Sequence, residues 1–266
     1  MSRAFVERYG PWALVTGASA GIGAVFARLL AARGLNLVLV ARRKEALAAL
    51  AHELTRTQEV EVEVVVCDLG AADFLEVVAK ATDHLEIGLL VNNAGAPAFH
   101  GHFVERTTAE IEQVAHFNVR AQLVLAHHFV RRMARRRRGG LIQVSSVTGH
   151  VSMPFMVEYS SSKAYQLALG EALYFELKHW GVDALVLAPG ATISERVDYG
   201  MSAERVVRSA LSSLGRVPSV IPGLRNRLRM FYLRQVLWRR GMVGACGKFQ
   251  YRHLKRKPWL EDETPV

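Results

Sequence analysis

Trp12-Ala13-Leu14-Val15-Thr16-Gly17-Ala18-Ser19-Ala20-Gly21-Ile22-Gly23 is the stretch on which the fold turns. Its opening residues form an apolar run of the kind a strand needs when both its faces are covered. Gly17, Gly21 and Gly23 follow, and an amphipathic helical pattern starts at once over 22–33. A strand that passes through a glycine-rich turn into a helix lets the backbone approach a pyrophosphate, and the helix N-terminus offers unpaired N–H groups to the anion. The plain alternative is a strand–helix turn that binds nothing. Against it stands the position of the turn, after the first strand of a strand–helix–strand pattern, where such a site belongs.

The second apolar run, 35–40, leads into Ala41-Arg42-Arg43. Sites for the non-phosphorylated dinucleotide place Asp or Glu near here, on the ribose 2′-hydroxyl. From Leu35 onward no acid occurs before Glu45. A carboxylate would repel a 2′-phosphate, whereas a guanidinium grips one with paired hydrogen bonds. Arg42 and Arg43 therefore predict NADP(H); the competing reading is that they solvate the start of the next helix.

Outward from this turn, apolar runs at 12–16, 35–40, 62–67, 87–92, 140–145, 183–188 and 217–221 alternate with helical patterns at 22–33, 43–57, 72–85, 108–136 and 160–180. Strand–helix alternation with continuous Val/Leu/Ile strands predicts a Rossmann-type, doubly wound α/β fold. The expected sheet is parallel, of about seven strands, with helices on both faces. No repeat or linker divides the first part of the chain, so one catalytic domain is expected over 1–223, followed by a basic helical extension over 224–266.

Of 266 residues 50% are hydrophobic and 22% charged, which supplies a core and excludes a disordered chain. Residues 1–12 lack the apolar segment of a secretion signal, and no run approaches the ~20 apolar residues of a membrane span. A soluble, cytoplasmic protein is expected. The two cysteines and ten histidines show no metal-ligand spacing, so neither a metal nor a disulfide framework is expected. The net charge of +10 is concentrated at 131–138 and 225–257. No nucleic-acid reading motif accompanies it, so no nucleic-acid partner is expected.

Further motifs follow in order: Val91-Asn92-Asn93-Ala94-Gly95, Asn118 within a helix, Ser145-Ser146, Tyr159-Ser160-Ser161-Ser162-Lys163 and Pro189-Gly190-Ala191-Thr192. With the glycine turn they give residues 12–221 a pattern that resembles the short-chain dehydrogenase/reductase family. The resemblance implies a catalytic group of Asn118, Ser146, Tyr159 and Lys163. Ser145 competes for the serine role, and the family's spacing to the tyrosine selects Ser146. It also implies contacts to the nucleotide from Gly17, Ser19, Gly21, Ile22 and Gly23 at the turn, with Arg42 and Arg43 at the 2′-phosphate. Asp68 and Leu69 would lie at the adenine, and Asn93, Ala94 and Gly95 on the adenosine-ribose side. Tyr159, Lys163, Pro189, Gly190 and Thr192 would meet the nicotinamide half. Ser194 stands where the family often has threonine.

The chemistry has a rationale of its own. A free phenol titrates near ~10, too high for ready proton exchange at neutral pH. An ammonium four residues on shares its helix face and would favour the phenolate. Tyr159 would then donate a proton to a carbonyl while Ser146 hydrogen-bonds the same oxygen, and the resemblance gives Asn118 a water that links Lys163 to solvent.

The expected function is an NADP(H)-dependent interconversion of a ketone, or 3-oxoacyl group, and a secondary alcohol. Alternatives are an NADPH-binding regulatory protein and a peripheral membrane protein. Candidate pocket residues Val147, His150, Met153, Phe155, Met156 and Val197 suggest a small lipophilic substrate. Ser202 is placed to cap a helix with Val206, Val207, Ala210, Leu211 and Leu214 on its apolar face. Beyond it, apolar residues from Leu224 to Trp238 interleave with arginines. That pattern fits either a helix roofing the substrate cleft or one lying on an anionic membrane. Arg131 to Arg138 would complement the C-terminal dipole of a long helix. By resemblance, that helix and the one carrying Tyr159 would build a homodimer or homotetramer.

Overall fold

Valine, leucine and isoleucine fill every central strand, and the apolar side chains leave both faces of the sheet to be covered. The computed structural model describes residues 3–254 other than 97 and 196; the end of the anticipated extension, 255–266, lies outside the described residues. After a short helix α1 (Arg3–Tyr9), the chain alternates β1 (Trp12–Thr16), α2 (Gly21–Ala31), β2 (Asn36–Ala41), α3 (Lys44–Gln58), β3 (Val62–Val66), α4 (Phe74–Thr82) and β4 (Ile87–Asn92). Then come α5 (Thr108–Ala115), α6 (Ala121–Arg136), β5 (Gly140–Val144), α7 (Val157–Lys178) and β6 (Asp183–Leu187). A two-stranded pair, β7 (Thr192–Ile193) and β8 (Met201–Ser202), precedes α8 (Ala203–Ser213), β9 (Ser219–Val220), α9 (Leu224–Phe231) and α10 (Arg239–Leu254).

The main sheet has seven strands in the order β3-β2-β1-β4-β5-β6-β9, and every pairing is parallel. The order reverses direction beside β1, so the crevice at the C-terminal ends of β1 and β4 is the topological switch point where such sheets bind ligands. On one face, α2, α3 and α8 bury Phe26, Leu30, Leu47 and Val207 against Val15, Leu39 and Leu187. On the other, α4, α6 and α7 bury Phe74, Leu125, Phe129 and Leu177 against Leu14, Val40 and Leu141. The expected doubly wound fold is the one formed.

Two local departures bear on the site. The pattern read as one helix over 108–136 carries a wide π-helical turn, His116–Arg120, between α5 and α6. Such a turn frees carbonyls from the regular ladder, and the Asn118 backbone oxygen accepts instead from Gln166 Nε2 at 2.8 Å. The capping box that opens α5 uses Thr107 and Glu110 and was not singled out from the sequence. Ser202 caps α8 as expected, accepting from the Arg205 N–H, and Val206, Val207, Ala210 and Leu211 are buried.

The extension folds back on the domain. Met230, Met242 and Cys246 form a small apolar cluster with Val151, and Met153, Leu233 and Leu237 pack against it. Among the described residues, no helix is long and apolar enough to cross a membrane.

Candidate active site

Two glycines of the turn after β1, Gly17 and Gly23, leave no room for a side chain. Gly17 adopts φ +66°, and a Cβ on it would come within 2.9 Å of Asn93 Nδ2. Gly23 packs directly on the Gly17 carbonyl, closer than any side chain allows, so its part is helix–turn contact and it does not line the groove. Thr16 locks the facing loop, its Oγ1 accepting from the N–H groups of Asn93 at 2.8 Å and Ala94 at 2.9 Å. Asn93 Nδ2 returns a bond to the Thr16 carbonyl at 2.8 Å. The N-cap of α2, Ala20, offers no side-chain cap, which leaves the first N–H groups of that helix for an anion.

Between these loops runs a groove of about 370 Å³, bordered by Gly17, Ser19, Gly21, Arg42, Arg43 and Leu69. It adjoins a deeper space of about 230 Å³ that reaches Ser146, Tyr159, Lys163, Pro189 and Gly190. Ile22, Asn93, Gly95 and Thr192 border both, so the two are one continuous cleft. A cradle in which Gly17 has no room for a side chain, an uncapped helix N-terminus and a cationic end fit an extended dinucleotide. The expected cofactor residues are thus brought together, apart from Gly23 and Asp68. The Asp68 carboxylate turns to the Gly70 N–H at 2.8 Å and lies 3.9 Å from Arg42.

At the cationic end, Arg42 stacks over Phe117, 5.5 Å from the ring centroid. Arg43 forms a clasp, donating to Ser19 Oγ at 3.2 Å, to the Ser19 carbonyl at 2.8 Å and to Glu195 Oε2 at 3.1 Å. Glu195 borders the groove and was not anticipated. It lies 152 positions away along the chain, with no local signal to connect them.

At the deep end, Ser146 hydrogen-bonds the Tyr159 hydroxyl and its Oγ accepts from the Thr148 N–H at 3.2 Å. Ser145 instead donates to the Lys163 carbonyl at 2.7 Å, a bond that fixes β5 to α7. The geometry favours Ser146 over its neighbour. Lys163 is 5% exposed, and its Nζ sits 5.5 Å from the centre of the Tyr159 ring. It donates to Gln166 Oε1 at 2.9 Å and to the Val144 carbonyl at 3.2 Å.

The electrostatics differ from the expectation. Burial pushes the Lys163 amine down to about 8, and pushes the Tyr159 phenol up, with the Ser146 bond pulling it partly back. The Lys163 ammonium is itself desolvated and donates to two oxygens. Asn118 is fully buried, its Oδ1 accepting from Ala96 N at 2.9 Å and its Nδ2 donating to Ser162 Oγ at 3.0 Å. It braces the 94–96 loop against α7 and does not line the cleft. Gln166, unmarked in the sequence reading, ties Asn118 to Lys163 from one turn along the same helix. None of the anticipated pocket residues borders the cleft: His150 and Met153 border a separate cavity beyond α7, and Val147, Phe155, Met156 and Val197 border neither space.

A family model described as short chain dehydrogenase matches residues 11–204. The 7beta-hydroxysteroid dehydrogenase of Clostridium sardiniense is 33% identical over 237 residues, covering 85% of this chain and 90% of that protein. A structure from work on 7beta-hydroxysteroid dehydrogenase stereoselectivity superposes with a TM-score of 0.87 at 31% identity, covering 91% of this chain and 98% of that one. The short-chain dehydrogenase from Sphingobium yanoikuyae in complex with NADPH gives a TM-score of 0.78 at 33% identity, covering 88% and 96%. A match over the α/β unit that holds the cleft, and relatives aligned over most of their length, lead to one assignment: the chain belongs to the short-chain dehydrogenase/reductase family of nicotinamide-nucleotide oxidoreductases acting on CH–OH groups.

Proposed function

We propose that this enzyme uses NADP(H) to interconvert a lipophilic ketone and its secondary alcohol, with a hydroxysteroid or a molecule of similar bulk as the substrate class. The observation that carries the reading is the cleft itself, with Arg42 and Arg43 at one end and Ser146, Tyr159 and Lys163 at the other. The likeness to 7beta-hydroxysteroid dehydrogenase supports the substrate class, and the likeness to a dehydrogenase complexed with NADPH supports the cofactor.

Gly17, Ser19, Gly21 and the N-terminus of α2 would hold the pyrophosphate, and Lys163 would bind the nicotinamide ribose hydroxyls. When bound, the reduced nicotinamide supplies the hydride. Tyr159 Oη donates the proton to the substrate oxygen, and the Ser146 hydroxyl donates a hydrogen bond to that oxygen as negative charge grows there. Asn118 and Gln166 keep Lys163 and the 94–96 loop in place. The test is NADPH absorbance followed over a panel of ketosteroids and other bulky ketones. Tight NADPH binding with no turnover across that panel would instead identify a regulatory nucleotide sensor.

Arg42→Asp is expected to raise the KM for NADPH about a hundredfold, the size of a lost pair of charge-assisted hydrogen bonds (about 3 kcal/mol). The KM for NADH should change less than about threefold. Equal rises for both nucleotides would remove the 2′-phosphate from the reading. In the cytoplasm, where the enzyme is proposed to act, a homodimer or homotetramer would cover the exposed Leu123 of α6 and Phe175 of α7.

One observation favours an added contact with membranes. Leu224, Leu228 and Phe231 are all exposed at helical spacing on α9, Trp238 is 89% exposed, and Arg225 and Arg227 lie between. Flotation with vesicles of anionic phosphatidylglycerol should carry the protein upward, and Leu228→Glu/Phe231→Glu should leave it behind. Equal recovery of both proteins in the floating fraction would reject this contact.

A further inference from the structure

A cavity of about 760 Å³, roomier than either part of the catalytic cleft, lies apart from it. At about 100° per residue, Tyr159 and Lys163 fall within about 40° of each other on α7, whereas Val157, Ser160, Ser161 and Ala164 fall roughly 100–200° round the helix. The first pair faces the cleft, and the second set faces this cavity. The helix itself therefore separates the two spaces. The far wall of the cavity is Arg234, Leu237, Arg239 and Met242, from the extension that folds back over the domain.

The lining combines two chemistries. Val151, Met153, Leu237 and Met242 give it apolar walls, while Arg234, Arg239 and His150 gather three nitrogen bases at its edge. Among the described residues no aspartate or glutamate borders it. Arg234 Nη1 lies 3.2 Å from His150 Nδ1, and His150 Nε2 is buried with no hydrogen-bond partner. Burial, then the adjacent Arg234, holds this imidazole below its usual range, with Glu171 acting the other way. A buried nitrogen without a partner is costly, and two guanidinium groups without a carboxylate leave the space electropositive. A ligand that relieves both carries an anionic head and an apolar body, and the volume lies in the range of small-molecule sites.

We propose that this cavity is a second, non-catalytic binding site for an amphipathic carboxylate, its head held by Arg234, Arg239 and His150 and its body packed along Leu237 and Met242. The site also touches the catalytic apparatus from behind. Ser146 opens the turn Val147–His150 by accepting from Thr148 N, and Gly149 packs so closely on α7 that a Cβ there would lie 2.6 Å from the Lys163 carbonyl. An occupant would therefore rest on the segment that carries the substrate-facing serine.

Calorimetric titration of the full-length protein, saturated with NADP+, would use three probes: dodecanoate, abietate and dodecan-1-ol. A flexible acyl acid and a rigid polycyclic acid share the required chemistry, and the alcohol lacks the charge. At least one acid should bind one-to-one with a Kd of about tens of micromolar, and dodecan-1-ol at least tenfold more weakly. Arg234→Gln/Arg239→Gln should weaken the acid tenfold or more, and Ala164→Phe, which fills the cavity from α7, should abolish binding. The Kd for NADP+ should hold in both variants, which separates failure here from failure of the catalytic reading. Absence of binding by both acids, or undiminished binding in the arginine variant, would overturn the proposal. So would an arginine variant that changes only the mass of the protein in solution, since the cavity would then belong between copies of the chain.

Discussion

Tyr159→Phe should lower kcat about a thousandfold while the Kd for NADPH stays within about a factor of two, since general acid catalysis contributes on the order of 10²–10⁴. The ring stays in place, so the cleft keeps its shape, and the loss is confined to the proton that the phenol delivers. Ser146 also loses its partner, but it retains the bond from Thr148 N and the oxygen of any bound ketone. Stopped-flow turnover and fluorescence titration of the nucleotide check the two halves separately. A variant that retains more than a tenth of its rate would move the proton donor elsewhere, and one that loses NADPH would make Tyr159 a binding residue only.

Lys163→Met should cut kcat/KM by about two to three orders of magnitude and yet stabilise the protein assayed without added nucleotide. The amine titrates near 8 in the fold against 10.5 when free, so the folded chain binds the proton less tightly than the unfolded one. The sign follows from linkage. Between about 8 and 10.5 the unfolded chain holds more protons, stability rises with pH, and below about 8 the full penalty for burying the ammonium applies. At 1.36 kcal/mol per unit that penalty is about 3 kcal/mol, reduced by the bonds to Gln166 and Val144 that the variant forfeits. A rise in Tm of roughly 2–6 °C at pH 7, vanishing toward pH 10.5, is expected on melting. A fall in Tm at pH 7, or a gap unchanged at high pH, would show that the lysine is held charged at no cost. Methionine fills the same space without a proton, so the pH dependence isolates the charge.

The strands around the switch point were legible because β1, β2 and β4 are buried on both faces and read as unbroken apolar runs. The edge was less so. Glu63 interrupts β3, and only two residues of β9 pair with β6 where five were anticipated. The residues that motif spacing names, Ser146, Tyr159 and Lys163, lie at one end of a single cleft, since a four-residue step on a helix and a strand-ending serine are local geometry. What lay beyond local geometry was lost: the clasp of Arg43 on Glu195 joins segments with no shared pattern, and the sense of the Lys163 shift depends on burial that neighbouring letters do not encode. His150 and Met153, expected on the substrate side, line the cavity behind α7 instead. The chain shows how near two residues are along it, not which side of a helix the loop between them crosses. The mass of the extension packed on that loop is what decides it.

The widened turn at His116–Arg120 makes this stretch intolerant of changes in length. Removing one residue of α5 ahead of the turn would swing everything before the cut by about 100° relative to α6, and removing one inside the turn would close it to regular pitch. The Thr107–Glu110 cap would then face a different neighbour, and the Asn118 oxygen would re-enter the helical ladder and abandon Gln166. Point substitutions here are survivable in principle, whereas an indel is not. A library of single-codon deletions should therefore show a depleted window centred on this turn, flanked by tolerance in the loop at 98–102.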